Sequence, residues 1–167
     1  MTEDDDGGPV VDAVLPLPLD FEAHYLINQE AFHEFALYVL GSNEEAEEAI
    51  HRVFLEILRH WDDLLEQRNL QAQTWAIMRR VVISQSLLSK RLELSNVHTS
   101  IGLYAALSAL PPRQFDVIVL RYVIKYSTNQ ISWYLGVTPS TVDYHCRKAK
   151  ERLEFSLRPY IKQEDAT

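Results

Sequence analysis

The chain has one cysteine, Cys146, in 167 residues. That excludes an internal disulfide framework and fits a reducing compartment. No apolar run approaches the ~18 residues of a membrane span. The N-terminal MTEDDDGGPVVDAVLPLP lacks the basic n-region of a secretory signal, so a cytoplasmic location is expected. Strand-like alternation and internal repeats are missing. So are a glycine-rich phosphate loop and a nucleophile in a recognisable elbow, which leaves catalysis without support and implies no cofactor. The histidines, His24, His33, His51, His60, His98 and His145, show neither HExxH nor Cys/His cluster spacing. They read as surface or packing residues, not as metal ligands.

Lysine and arginine are absent from the first fifty residues. They begin at Arg52, recur at Arg79, Arg80, Lys90 and Arg91, and concentrate near the C-terminus. The formal net charge is −8. For a nucleic-acid binder that balance is unusual, because phosphate neutralisation supplies most nonspecific affinity. Either the chain borrows affinity from a larger basic partner, or its acidic front shields its basic back. For residues 1–12 an acidic tail serving only solubility is an equal alternative.

What is present is helical. Residues 1–18 read as an acidic disordered tail. From Asp20, the positions Phe21, Tyr25, Asn28, Phe32, Phe35 and Val39 follow helical spacing, with Asn28 the one polar member. Gly41 ends that helix, and Ser42 with Glu45 has the spacing of a capping box. Ala46, Ala49, Ile50, Val53, Phe54, Ile57, Leu58 and Trp61 form a broad apolar face. A polar connector is expected from about Asp62 to Gln71, then a third helix carrying Trp75, Met78, Val81, Val82 and Leu88. The pattern breaks at SKRLELSNVHT, read as a linker over 89–99. A helix is expected from about Ser100 to Leu110. Pro111-Pro112 ends it and begins another carrying Phe115, Ile118, Val119, Tyr122 and Val123. The fold class is all-α: a helical domain over 19–88, a linker over 89–99, a second domain over 100–158 and a tail over 159–167.

The segment STNQISWYLGVTPSTVDYHCRKAKER, Ser127 to Arg152, carries the most chemistry. Ser127 and Gln130 form a second capping-box pattern. Ile131 and Leu135 lie one turn apart, and Gly136 sits where the chain turns sharply. Thr138 suits an N-cap and Pro139 the first helical position. Val142 points back at the first helix, and the small Ser132 permits close approach. This is the helix-turn-helix pattern, whose second helix enters the DNA major groove by its N-terminal end. An ordinary αα-corner shares the caps and the turn glycine. The outward face favours DNA, because Ser140, Thr141, Asp143, Tyr144, Arg147 and Lys148 can reach bases or phosphates.

The layout resembles the extracytoplasmic-function sigma factors of bacteria. Ala106 to Leu153 is similar to their fourth conserved region, in the paired prolines, Leu120-Arg121, Ser127, Ile131, Leu135-Gly136 and Ser140-Thr141-Val142. That resemblance implies docking on the polymerase flap and reading of an upstream promoter element. Gln130-Ile131-Ser132 stands where the family has Glu-Ile-Ala; Gln completes a capping box and Ser is small, so the fold is expected to survive. Gly41 to Trp61 resembles the family's polymerase-docking helix, with Glu48 for the usual Asp and His51 for the usual Gln. The resemblance implies that Glu48, His51, Phe54, Leu55 and Trp61 meet the clamp helices of the largest polymerase subunit. It also implies a flipped downstream base held by the loop carrying Leu64, Leu65, Arg68 and Asn69, with Arg79 and Arg80 on the following helix. That helix keeps Trp75 but has Val82 near the expected Asn.

A sigma factor is a specificity subunit and catalyses nothing. The expected partners are RNA polymerase core, promoter DNA and an anti-sigma factor. Two other classes share the pattern: a stand-alone helix-turn-helix regulator with an N-terminal sensing or partner-binding module, and an adaptor with a degenerate helix-turn-helix.

Overall fold

The computed structural model describes residues 16–93 and 106–164, and these contain helices and turns without a strand. The acidic tail up to residue 15, linker residues 94–99 and the first turn of the helix expected from Ser100 lie outside the described residues. So do His98 and the side chains of Leu88, Lys90 and Arg91. Helix α1 spans Leu19–Leu40, α2 Asn43–Arg59, α3 Trp61–Glu66 and α4 Leu70–Glu93. After a helical turn at 106–108 come α5, Pro112–Ile118, and a wider helical turn, Val119–Val123. Then follow α6, Thr128–Leu135, and α7, Pro139–Glu164.

Sequence chemistry sets most of these boundaries. Gly41 takes a left-handed conformation, φ 78°, and its N–H returns to the Leu37 carbonyl, closing α1. Two residues on, the Ser42 side chain accepts from the Glu45 N–H and opens α2. Both halves of the Ser127/Gln130 capping box form: the Gln130 N–H donates to Ser127 Oγ at 3.2 Å, and the Ser127 N–H donates to Gln130 Oε1 at 2.9 Å.

The apolar stripes meet as expected, with Phe32 and Phe35 of α1, Val53 and Ile57 of α2, and Trp75, Met78 and Val82 of α4 all buried. Burying each such side chain contributes about 1.5–3 kcal/mol. Asn28, the polar member of the α1 stripe, is fully buried. Its Nδ2 donates to the His24 carbonyl at 2.9 Å, and its Oδ1 accepts from Gln71 Nε2 at 2.6 Å. A buried amide so satisfied avoids the cost of unpaired burial.

Three boundaries differ from the sequence reading. Asp62–Glu66, expected as connector, continues a short helix because Trp61 and Leu64 are both buried, three residues apart. Helix α4 runs to Glu93, five residues past the expected Leu88, because Lys, Arg, Leu and Glu are all good helix formers. The helix after Pro112 does not keep one apolar stripe. It widens at Val119–Val123, where the Ile124 N–H reaches the Val119 carbonyl at 3.0 Å. The extra residue in that turn carries Tyr122 and Val123 out to solvent, 40% and 45% exposed.

A single hydrophobic cluster runs from Phe21 in α1 to Ala149 in α7. The two halves of the chain therefore share a core. Phe35 of α1 meets both Trp75 and Phe115 edge-on, at 5.2 Å and 6.3 Å between ring centroids.

Candidate nucleic-acid interface

The helix-turn-helix is built around Ile131, Leu135, Val142, Cys146 and Ala149, all buried. Gly136 turns the chain at φ 65°. Ser132 Oγ donates across that turn to the Val137 carbonyl at 2.5 Å. Thr138 caps α7, its Oγ1 accepting from the Thr141 N–H at 3.3 Å.

Along the start of α7, Ser140, Asp143, Tyr144 and Arg147 are exposed, and Thr141 and Lys148 are partly so. The hydroxyls of Ser140 and Thr141 lie 3.1 Å and 2.8 Å from Thr138 Oγ1, so they sit in the cap. Asp143 pairs with Arg121 at 3.5 Å. The Arg147 guanidinium lies 5.8 Å from the Tyr144 ring centroid, a cation–π approach that holds the two side chains together. Lys148 reaches Glu151 at 3.3 Å. The six expected upstream residues thus share one helix end, with Ser140, Asp143, Tyr144 and Arg147 exposed on it.

The expected downstream residues are divided. Arg68 is exposed on the loop before α4. Asn69, at φ 62°, caps α4: its Oδ1 accepts from the Ala72 N–H at 3.1 Å. Its Nδ2 donates to the Gly136 carbonyl at 2.6 Å, joining the loop to the helix-turn-helix turn. Gly136 has a second reason to be glycine here, since a Cβ would lie 2.9 Å from the Ala72 nitrogen. Arg79 is turned inward, its Nε 2.9 Å and 3.0 Å from the two Asp116 oxygens. Arg80 is exposed and pairs with Glu56.

Asp116 was not singled out from the sequence, although a lone carboxylate inside FDVIVL is a signal of a paired group. It is 2% exposed and receives Arg79 and the Trp75 Nε1–H, the latter at 3.0 Å. Burial pushes its carboxyl above the usual range, against the opposing pull of Arg79, the Trp75 N–H and Arg113.

The residues expected on polymerase also separate. Glu48, His51 and Leu55 are exposed on α2. Beside them an open groove of about 450 Å³ runs between α1 and α2, lined by Phe21, Tyr25, Leu26, His51, Phe54 and Leu55. Phe54 is buried in its floor, and its ring packs on Tyr25 at 4.7 Å. Trp61 belongs to the core, 3% exposed, with Nε1 donating to Asp20 at 3.0 Å. Its role in the structure is to anchor the start of α1, not to present a surface.

Residues 101–153, about a third of the chain, match the family model described as Sigma-70, region 4. That span takes in the paired prolines, α5, α6 and the N-terminal part of α7. Comparison with curated proteins finds no match. Among solved structures, CnrH in complex with the cytosolic domain of CnrY is similar at TM-score 0.52 and 19% identity, over 83% of this chain and 88% of that one. The sigma factor RpoE of Bartonella quintana, in complex with the anti-sigma factor NepR, is similar at TM-score 0.49 and 20% identity, over 83% of this chain and 97% of that one.

Proposed function

We propose that the chain is a sigma factor of the extracytoplasmic-function type, directing core RNA polymerase to promoters and assisting their melting; the match of residues 101–153 to Sigma-70, region 4 and the all-helical fold support this reading. The observation that carries the reading is the coincidence of the region 4 match with a complete helix-turn-helix whose reading end is exposed. The α7 start enters the major groove at the upstream element. The α1–α2 groove, lined in part by His51 and Leu55, receives an apolar element of core polymerase, with Glu48 exposed on the same helix. Arg68, Asn69, Arg79 and Arg80 serve the downstream element.

This division accounts for the net charge of −8. Core polymerase supplies the catalytic groups and most phosphate neutralisation, so the free chain needs little DNA affinity of its own. The protein acts where polymerase acts, in the cytoplasm. A protein partner that holds the free chain, as the cytosolic domain of CnrY holds CnrH, completes the proposal as an anti-sigma factor. Gel filtration of the chain with sigma-free core polymerase tests the reading. Stoichiometric co-elution is expected; separate elution at micromolar concentrations contradicts it.

A further inference from the structure

Trp133 of α6 is 48% exposed, although so large an aromatic side chain is ordinarily drawn inside. It meets Tyr134 edge-on at 5.2 Å between ring centroids, and Tyr134 stacks on Tyr126 at 5.4 Å with the planes 23° apart. The Tyr126 hydroxyl donates to Glu34 Oε2 of α1 at 3.0 Å, so the row of rings runs onto that helix. Ile27, Glu34 and Tyr38 follow helical spacing down one side of α1, and Ile27 and Tyr38 are both exposed. Tyr25, which packs on Phe54 in the α1–α2 groove, is two residues from Ile27 and so points the other way around the helix. The seam of rings and carboxylates uses no lining residue of that groove and none of α7.

This seam is negative and holds no cation of its own. Neither α1 nor α6 contains Lys or Arg. Among the described residues no ion pair neutralises Glu30, which is exposed, or Glu34, which is partly so. Lys125, next to Tyr126 in sequence, is exposed and pairs with neither. Burial first, and then the two glutamates, push the Tyr126 and Tyr134 phenols above their usual pKa, so both carboxylates act on the rings. We infer that Trp133, Tyr134, Tyr126, Glu30 and Glu34 form a docking surface for an arginine-bearing segment of a protein partner. A guanidinium lies flat on an aromatic face and forks onto a carboxylate, and the seam offers both groups together. Trp, Tyr and Arg are also the side chains that dominate the energetics of protein interfaces. A second copy on a two-fold axis would set the same glutamates against each other, and DNA would set phosphates against them. A basic protein segment is the occupant whose charge fits.

Fluorescence anisotropy tests this on the full chain with a labelled helical peptide carrying arginines one turn apart, and with its citrulline counterpart, which has the same shape without the charge. The arginine peptide should bind saturably at physiological salt and the citrulline peptide should not. Trp133→Ala, and separately the pair Glu30→Gln, Glu34→Gln, should each weaken binding at least tenfold. The pair Glu44→Gln, Glu47→Gln removes the same charge from α2 and should leave affinity within twofold. Equal weakening by the two charge pairs overturns the surface, because the attraction is then nonspecific; unchanged affinity in Trp133→Ala overturns it as well. The ring and the carboxylates are tested in separate variants, so if one does not fold the other decides. A dimer of the free chain that Trp133→Ala abolishes in sedimentation gives the seam to a second copy, and displacement of the peptide by duplex DNA gives it to DNA; either result overturns the assignment to a basic protein segment.

Discussion

Trp75 Nε1 donates to Asp116 Oδ2 at 3.0 Å, joining residues 41 apart in the chain and ring to carboxylate across the two halves of the molecule. The same carboxylate takes Arg79. One short stretch of α4 therefore serves the core through Trp75 and faces the C-terminal half through Arg79.

The capping box at α6 should carry measurable stability. Ser127→Ala removes the acceptor for the Gln130 N–H and should cost about 0.5–2 kcal/mol. A urea titration followed by circular dichroism reads this as a lower midpoint with an unchanged slope. An unaltered midpoint would show that the cap is redundant.

Much of this was legible in the sequence because it depends on local chemistry. Gly41, Gly136, Ser42, Ser127 and Thr138 act within a few residues, and the observed caps follow from those residue types. Of the stripe from Phe21 to Val39, Phe21, Asn28, Phe32 and Phe35 are buried as read, whereas Tyr25 is 39% exposed and its neighbour His24 is buried. The burial of Asn28 is intelligible only with Gln71, which lies 43 residues away. The pairing of Asp116 with Arg79 and Trp75 is long-range in the same way. Trp61 was read both as part of the apolar face of α2 and, by resemblance, as a polymerase contact; in the structure it is 3% exposed, with Phe21 meeting its ring edge-on at 5.3 Å. Motif position shows which helix a residue occupies; packing partners decide whether its side chain is available.

Docking should depend on exposed α2 positions and leave the core intact. Leu55 is 49% exposed and His51 faces solvent beside it. The double variant His51→Asp, Leu55→Asp should weaken core polymerase binding at least tenfold, about 1.4 kcal/mol, with helicity unchanged. Fluorescence anisotropy of labelled protein against core polymerase makes the comparison. A folded double variant with wild-type affinity would remove this surface from the interface.

Reading of the upstream element should be divided along α7. Tyr144 projects near the helix start, whereas Lys148 lies a turn later beside Glu151. Tyr144→Ala should relax preference at one base position and cost about 1–3 kcal/mol, while Lys148→Ala should weaken all sequences alike and lower the salt dependence. Selection of holoenzymes on a randomised upstream element separates these outcomes. Uniform loss in both variants would contradict the division.

His24 gives the N-terminal half a dependence on pH. Burial lowers its pKa below the ordinary 6.5, and its Nδ1 lies 3.3 Å from the Asn28 amide nitrogen, which donates to the neutral ring. The unfolded chain therefore takes up the proton first. The stabilisation is complete above about pH 6.5 and declines as pH falls through the lowered value. Asp116, raised by burial, acts with the opposite sign, and His145, lowered by burial, with the same sign. The difference between wild type and His24→Phe isolates His24. Urea midpoints from about pH 7.5 to 5.5 should fall more steeply in wild type, and parallel curves would contradict this assignment.

Run-off transcription bears most directly on the central claim. Sigma-free core polymerase, the purified chain and a library of promoter fragments form the reaction, with core alone as reference. The account predicts discrete start sites that appear only when the chain is present, on fragments sharing an upstream and a downstream element. Transcripts indistinguishable from those of core alone across the library would contradict it.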